Sequence, residues 1–402
     1  MKRRAWVLLL VIYMAFIALG FPDALLGSSW NMVRMDLNVA LGSLGLMTLT
    51  AYVMSTLTTL NAPRLMRLLP TKVIVFSGMV MIGSALILIS RVEQYYQIVL
   101  LAIPLGLGGA AIDVSLNHYL AAHYKASHMN FLHSFYGIGV TLGPTVMALA
   151  LNRGAWRLGY LWVGLILLVM AGLMLMSFPL WKDEAVDDRT DRHAHLSLKT
   201  MVKTPGAVMS IAVFLMIVFL ESLGGVWIAS YLYVTRGYDH VTAALFTSTF
   251  YLALTVGRFS SGVLAFKVRS EVLIGLGEGL IFMAGILLWF FNGGFILSLI
   301  IVGVYGLGCA PVFPNMMFLN SQRFESRRLS KIMGLQMAIG YMGFGVLTPL
   351  AGLWFERVSL THYPLFIVFG SVLLWFLTVR FFKNTPRQTA TKSPITLTEN
   401  TA

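Results

Sequence analysis

Four carboxyl side chains, Asp23, Asp113, Glu221 and Glu278, interrupt runs of residues that are otherwise apolar enough to cross a bilayer. On insertion scales each costs roughly 2.5–3.5 kcal/mol at the bilayer centre when charged. Binding a proton relieves that cost. A carboxyl so placed is ionised while water reaches it and neutral while it is shut in, which is the behaviour that proton coupling requires. Asp113 and Asn117 are four residues apart and share one helix face, with Gly106, Gly109 and Ala110 near it. Asp113 either carries a proton or, held protonated, bonds a neighbouring helix. Asn117 suits two roles, gluing helices together and binding a hydroxyl.

Asp23 follows Gly20, Phe21 and Pro22 in the outer part of the first run, whereas Asp113 lies deep in a run of opposite direction. The two carboxyls are therefore expected at different depths, as stations for a proton that enters on one side and leaves on the other; a capped kink at Pro22 is the plainer reading of Asp23. Glu221 precedes Gly224, Gly225, Val226 and Trp227, with Tyr231 one turn further on. An acid beside an aromatic platform can grip a sugar, although a tryptophan here also suits packing or the interfacial belt. His133 is either structural or a contact to solute or proton near the level of Asn117. Asn315 and Gln336 are further candidates to line a cavity, and Arg258 pairs an acid or anchors a loop. Glu278 has no place in this scheme.

The elements that must position these groups follow from composition. Of 402 residues, 58% are hydrophobic and 11% charged, so the few charges cannot coat a soluble body of this size. Apolar runs lie at 5–28, 40–60, 73–90, 95–121, 130–151 and 157–180, then at 206–234, 241–265, 271–291, 294–318, 331–353 and 362–381. Twelve spans result, with a polar connection between the sixth and seventh. The net charge of +13 points away from nucleic acid once the basic residues are placed. Of the 29, only Arg34, Arg91, Arg153, Arg157, Arg236 and Arg357 fall on the side remote from the termini. That asymmetry orients both termini towards the cytoplasm and suits an inner cell membrane. The only cysteine, Cys309, excludes a disulfide framework. No GxxxxGK[ST] motif and no nucleophile–base constellation occurs, so neither ATP-driven transport nor an enzyme is indicated. No metal or other cofactor is expected.

The halves repeat one another: GLGGAA at 106–111 answers GLGCAP at 306–311, and Pro144 of the fifth span answers Pro349 of the eleventh. Six spans plus six, joined by a cytoplasmic loop, resemble the major facilitator superfamily. Within it DVSLN at 113–117, NFLHSFYGIGVTLGP at 130–144, GFPDALLGSSW at 20–30, ESLGGVWIASYL at 221–232 and APVFPN at 310–315 resemble the fucose permease group of sugar and proton symporters. The fucose permeases proper carry glutamate at the place of Asp113 and glutamine at that of His133. The superfamily's loop motif is altered as well, with Met66 and Phe266 at its two acidic places, so contacts that lock one conformation are looser here or made by other groups.

The resemblance implies an all-α membrane protein of twelve helices in two pseudosymmetric six-helix bundles, at 1–181 and 206–382. A central loop at 182–205 and a disordered tail at 383–402 complete the chain. It implies a monomer whose partners are protons, a small solute such as a monosaccharide, and the lipid bilayer. Asp23, Asp113 and Glu221 would couple protons; Asn117, His133, Glu221, Trp227, Asn315 and Gln336 would bind the solute. A rival with the same fold and the same carboxyls is export of amphipathic compounds by proton antiport, against which the polar lining argues.

Overall fold

The computed structural model describes residues 2–124, 126–181, 204–291, 293–324 and 326–385. The expected central loop and tail therefore lie almost wholly outside the described residues. In hydrocarbon every backbone N–H and C=O must be satisfied within the protein, so long apolar segments become helices. Among the described residues twelve helices are long and apolar enough to cross a membrane. They are α1 (Trp6–Asp36), α2 (Leu41–Ala62), α3 (Thr71–Ile89), α4 (Tyr95–Leu120), α5 (Leu132–Leu151), α6 (Trp156–Met176), α7 (Ala207–Arg236), α8 (His240–Leu264), α9 (Ser270–Phe290), α10 (Phe295–Arg323), α11 (Ile332–Arg357) and α12 (Leu360–Asn384). The end of the molecule that holds Trp6 and Asn384 is called the near end below, and the opposite one the far end.

Within the first six helices α1 packs on α5, α2 on α4, and α3 on both α4 and α6; within the last six α7 packs on α11, α8 on α10, and α9 on both α10 and α12. Each pairing recurs six helices later. The repeated glycine motif explains part of this. A Cβ on Gly106 of α4 would run into the backbone carbonyl of Ala51 in α2, and one on Gly306 of α10 would run into that of Phe250 in α8. Gly108 and Gly308 likewise lie against the Gly78 and Gly277 carbonyls, at 2.9 Å in both cases for a built Cβ. Close approach of backbones in lipid needs residues this small.

Several helices are broken where the sequence demands it. Helix α1 is interrupted after Gly20 by a turn that contains Pro22 and Asp23 and resumes at Leu25. Helix α7 widens into a π turn at Leu223–Trp227, and α11 does so at Gly343–Leu347. Pro349 follows the second of these; it lacks an N–H and crowds the preceding turn, and a wider turn relieves both faults. Both π turns hold two glycines.

The two sets of six meet mainly through α5 with α8, α2 with α11, and the far half of α1 with α7 and α8. Ser248 donates to the Thr141 carbonyl at 2.9 Å and shares a hydrogen bond with Thr145 at 2.8 Å. Tyr52 stacks on Phe344 with centroids 5.2 Å apart, and Gly45 abuts Pro349. At the far rim the Glu356 carboxylate accepts the Gly42 N–H at 2.7 Å. These contacts run from mid-span to the far rim and close the far end; Asp23 and His133 nevertheless stand exposed, and we read the space they face as a cleft between the two sets that opens towards the near end. Glu271, in the first turn of α9, holds Arg323 of α10 at 2.9 Å. This bond supplies a tie near the α8–α9 connection, where Phe266 leaves the loop motif without its acid.

Candidate functional site

Two of the breaks, in α1 and α7, lie beside the acids of the cleft. Each break carries a carboxyl: Asp23 within the turn of α1, and Glu221 two residues before the π turn of α7. A break in a helix swings side chains off its packing stripe. Asp23 is exposed, and Glu221 and Asp113 are half-buried.

The partners of the three acids differ. Asp23 accepts a short hydrogen bond from the Tyr136 hydroxyl of α5. Asp113 accepts from Asn117 Nδ2 at 2.8 Å, one helical turn on, and faces the Tyr341 hydroxyl of α11 at 3.5 Å across the boundary between the two sets. Neither of these carboxyls has a cationic partner among the described residues. Glu221, by contrast, is bound through both oxygens to Arg258 Nη2 of α8, at 2.9 and 3.1 Å. Asp23 and Asp113, expected at different depths, lie near enough for their charges to interact. Tyr341 lies close to both, and its ring is tilted against that of Tyr52 with centroids 6.2 Å apart.

His133 is exposed in the cleft, its ring edge-on to Phe16 at 5.8 Å and within electrostatic reach of Arg258. The structure thus brings together Asp23, Asp113, Asn117, His133 and Glu221. Three expected ligands lie elsewhere. Trp227 is fully buried inside the second set of helices: its Nε1 donates to the Thr348 carbonyl at 3.3 Å and its ring packs edge-on to Phe355 and covers Gly352. The π turn between Glu221 and Trp227 rotates the two onto different faces, so they form no common wall. Gln336 is also fully buried, donating to Ser210 Oγ at 2.6 Å and accepting from Asn320 Nδ2 at 3.0 Å, which binds α7, α10 and α11 together. Asn315 donates to Ser261 Oγ at 2.9 Å and ties α10 to α8. Tyr231 caps the Leu288 carbonyl of α9. All four act as interhelical glue.

Glu278, unexplained in sequence, is buried between α9 and α12, where Thr378 donates to its Oε1 at 2.6 Å. Helix α9 packs on α10 and α12 rather than on the helices that carry Asp23, Asp113 and Glu221, which marks Glu278 as structural. Glu278→Gln keeps the acceptor for Thr378 and is expected to leave transport within about twofold of wild type; loss of solute accumulation in vesicles would show otherwise.

Residues the sequence reading passed over are Tyr52, Tyr136 and Tyr341; the acid that Arg258 pairs, one of its two expected roles, is Glu221. A signal was present: the repeat that matches Pro144 with Pro349 also matches Tyr136 with Tyr341. Each of these tyrosines faces a carboxyl.

Known proteins agree with this architecture. A 342-residue stretch is 23% identical to Bypass of stop codon protein 6 of Saccharomyces cerevisiae, covering 74% of this chain and 67% of that one. A bacterial homolog of the human lysosomal transporter Spinster, solved in an inward-facing, occupied conformation, superposes with a TM-score of 0.76 at 12% identity, over 96% of this chain and 99% of that one. A mutant of the nucleoside transporter NupG gives 0.75 at 12% identity, over 94% and 100%. Residues 6–310 match the Major Facilitator Superfamily, and with twelve spans, paired halves and a central polar cleft the chain belongs to that family of membrane transporters.

Proposed function

We propose that the protein is a proton-coupled secondary transporter that imports a neutral, polyhydroxylated small solute, a monosaccharide or a close relative, by alternating access. The observation that carries this reading is the division among the acids of the cleft. Asp23 and Asp113 are held only by neutral hydroxyl and amide groups. Either can gain or lose a proton without stranding a buried cation. Glu221 is neutralised by Arg258, and the pair offers acceptors and donors together, suited to a vicinal diol. Tyr52, Tyr341 and Phe344 add aromatic faces against which the CH side of a sugar ring can lie.

The mechanism follows from the cost of shutting a charge away from water. With the cleft open at the near end, Asp23 and Asp113 are hydrated and can ionise. Closing the near end around them while charged is costly; protonated, they close at little cost. Bound solute supplies hydroxyl partners for Asn117, His133, Glu221 and Arg258, and this favours closure further. The basic residues gathered at the near end favour placing it in the cytoplasm, so a proton gradient directed inwards would drive uptake.

The test is counterflow and pH-driven uptake in proteoliposomes, with labelled hexoses, 6-deoxyhexoses and polyols as probes. Uptake of at least one probe that rises with an inward proton gradient and dissipates with a protonophore is expected. Gradient-independent movement of every probe would overturn proton coupling, and movement of none would overturn the solute class.

A further inference from the structure

Buried polar atoms without a hydrogen-bond partner are rare and costly. Among the described side chains six atoms are in that state: Asn31 Oδ1, Arg34 Nε, Ser230 Oγ, Thr247 Oγ1, Arg258 Nε and Arg323 Nε. The last two belong to guanidinium groups already held elsewhere, Arg258 through Nη2 by Glu221 and Arg323 through Nη1 and Nη2 by Thr385 and Glu271. The other four all lie in the far halves of α1, α7 and α8, inside the seal that closes the cleft.

Helix register places three of them at one level. Gly27 of α1 abuts Gly225 and Val226 of α7, and two turns further on the Tyr233 hydroxyl of α7 points at Met35 Sδ of α1 at 3.8 Å. Both contacts hold one parallel register, which sets Asn31 level with Ala229 and Ser230. Helix α8 runs antiparallel to α7 with Phe250 and Tyr251 over Gly224 and Gly225, so Thr247 falls level with the turn that carries Ser230. Asn31 is 3% exposed and both hydroxyl residues 0%. Hydroxyls inside helices ordinarily bond back to a carbonyl one turn earlier, as Ser29 and Thr249 do here. Those of Ser230 and Thr247 do not.

An apolar seal would be the more stable one, so these atoms have a use in the other state of the cycle. We propose that Asn31, Ser230 and Thr247 form an outer subsite that binds solute hydroxyls when the far end opens. The first set of helices supplies the amide oxygen and the second set the two hydroxyls, so parting the sets turns all three towards the opening, with Arg34 one turn nearer the mouth. A polyol satisfies them as water would: its O–H donates to Asn31 Oδ1 and its oxygens accept from Ser230 and Thr247. The subsite rests on the reading of the cleft as a path for polyhydroxylated solutes.

Two measurements on the full-length protein test it, with D-glucose, L-fucose, D-mannitol and related hexoses and polyols as probes. In a Cys309→Ala background, Asn31→Cys is expected to react with an impermeant thiosulfonate added from the far side. A probe that raises the melting temperature of the wild type should slow that reaction at least fivefold. Thr247→Val and Ser230→Ala remove an unpaired atom from the interior, so their melting temperatures should hold or rise. Their half-saturation for uptake from the far side should weaken about tenfold, with near-side half-saturation unchanged. A mere shift towards the sealed state would instead tighten near-side binding, and that result overturns the subsite. So does a transported, stabilising probe that neither protects Asn31→Cys nor loses far-side affinity in Thr247→Val, while leaving the transport reading standing. If no probe stabilises the wild type or is carried by it, the transport reading itself fails.

Discussion

Asp113→Asn is expected to reduce solute accumulation to simple equilibration while counterflow continues within about threefold of the wild-type rate. Asparagine keeps the shape of the side chain, an oxygen for the bond from Asn117 and an amide N–H that can donate to the Tyr341 hydroxyl oxygen in place of the bond Tyr341 made, so the cleft and its closure survive. What disappears is the proton. A gradient of one pH unit stores about 1.4 kcal/mol and sustains about tenfold accumulation when one proton accompanies each solute; the variant should hold no excess at any gradient. Because its side chain is always neutral, counterflow should also become insensitive to pH over the range in which the wild type responds. Uphill accumulation by the variant would remove Asp113 from the coupling role and leave Asp23 as the carrier.

The second large effect belongs to Arg258. Truncating one partner of a buried ion pair strands the other, at a cost of about 3–5 kcal/mol in a dry interior. Here the side chains are 21% and 12% exposed and the cleft is wet, so Arg258→Gln should destabilise the solubilised protein by about 2 kcal/mol. Transport should be lost as well. Glu221→Gln combined with Arg258→Gln replaces the ion pair by a neutral amide pair of similar size; it should recover most of the melting temperature without recovering transport. Measuring all three variants by thermal denaturation and counterflow separates the two roles. Normal counterflow by Arg258→Gln would mean that the pair holds α7 to α8 and nothing else.

The architecture was legible because its causes are local and repeated. Twelve apolar runs of spanning length, divided by basic connections, determine twelve helices, and the match of 106–111 with 306–311 marks the backbone-to-backbone crossings of Gly106 on Ala51 and Gly306 on Phe250. The acids were legible as candidates, since an ionisable group in a spanning helix needs water or a partner; Glu278, held by Thr378 between α9 and α12, shows that the partner can be purely structural. Reading their partners needed the helix phase. Trp227 follows Glu221 closely in the sequence, but a π turn lies between them and inserts an extra residue into the register. Gln336 and Asn315 are polar and mid-span, as ligands would be, yet they satisfy one another's neighbours within one set of helices. Tyrosines were passed over because their rings suit the interior of any span; only their hydroxyls, aimed at Asp23 and Asp113, set them apart.

In the alternating-access cycle proposed above, Glu221 and Arg258 ride on α7 and α8 within one set of helices, whereas Asp113 and Tyr341 belong to different sets. The first couple therefore stays married throughout each turnover, and the second must divorce and reunite every time. Such an arrangement divides labour: a permanent hand to hold cargo, and a contact that is remade only when the machine has come round to the same pose.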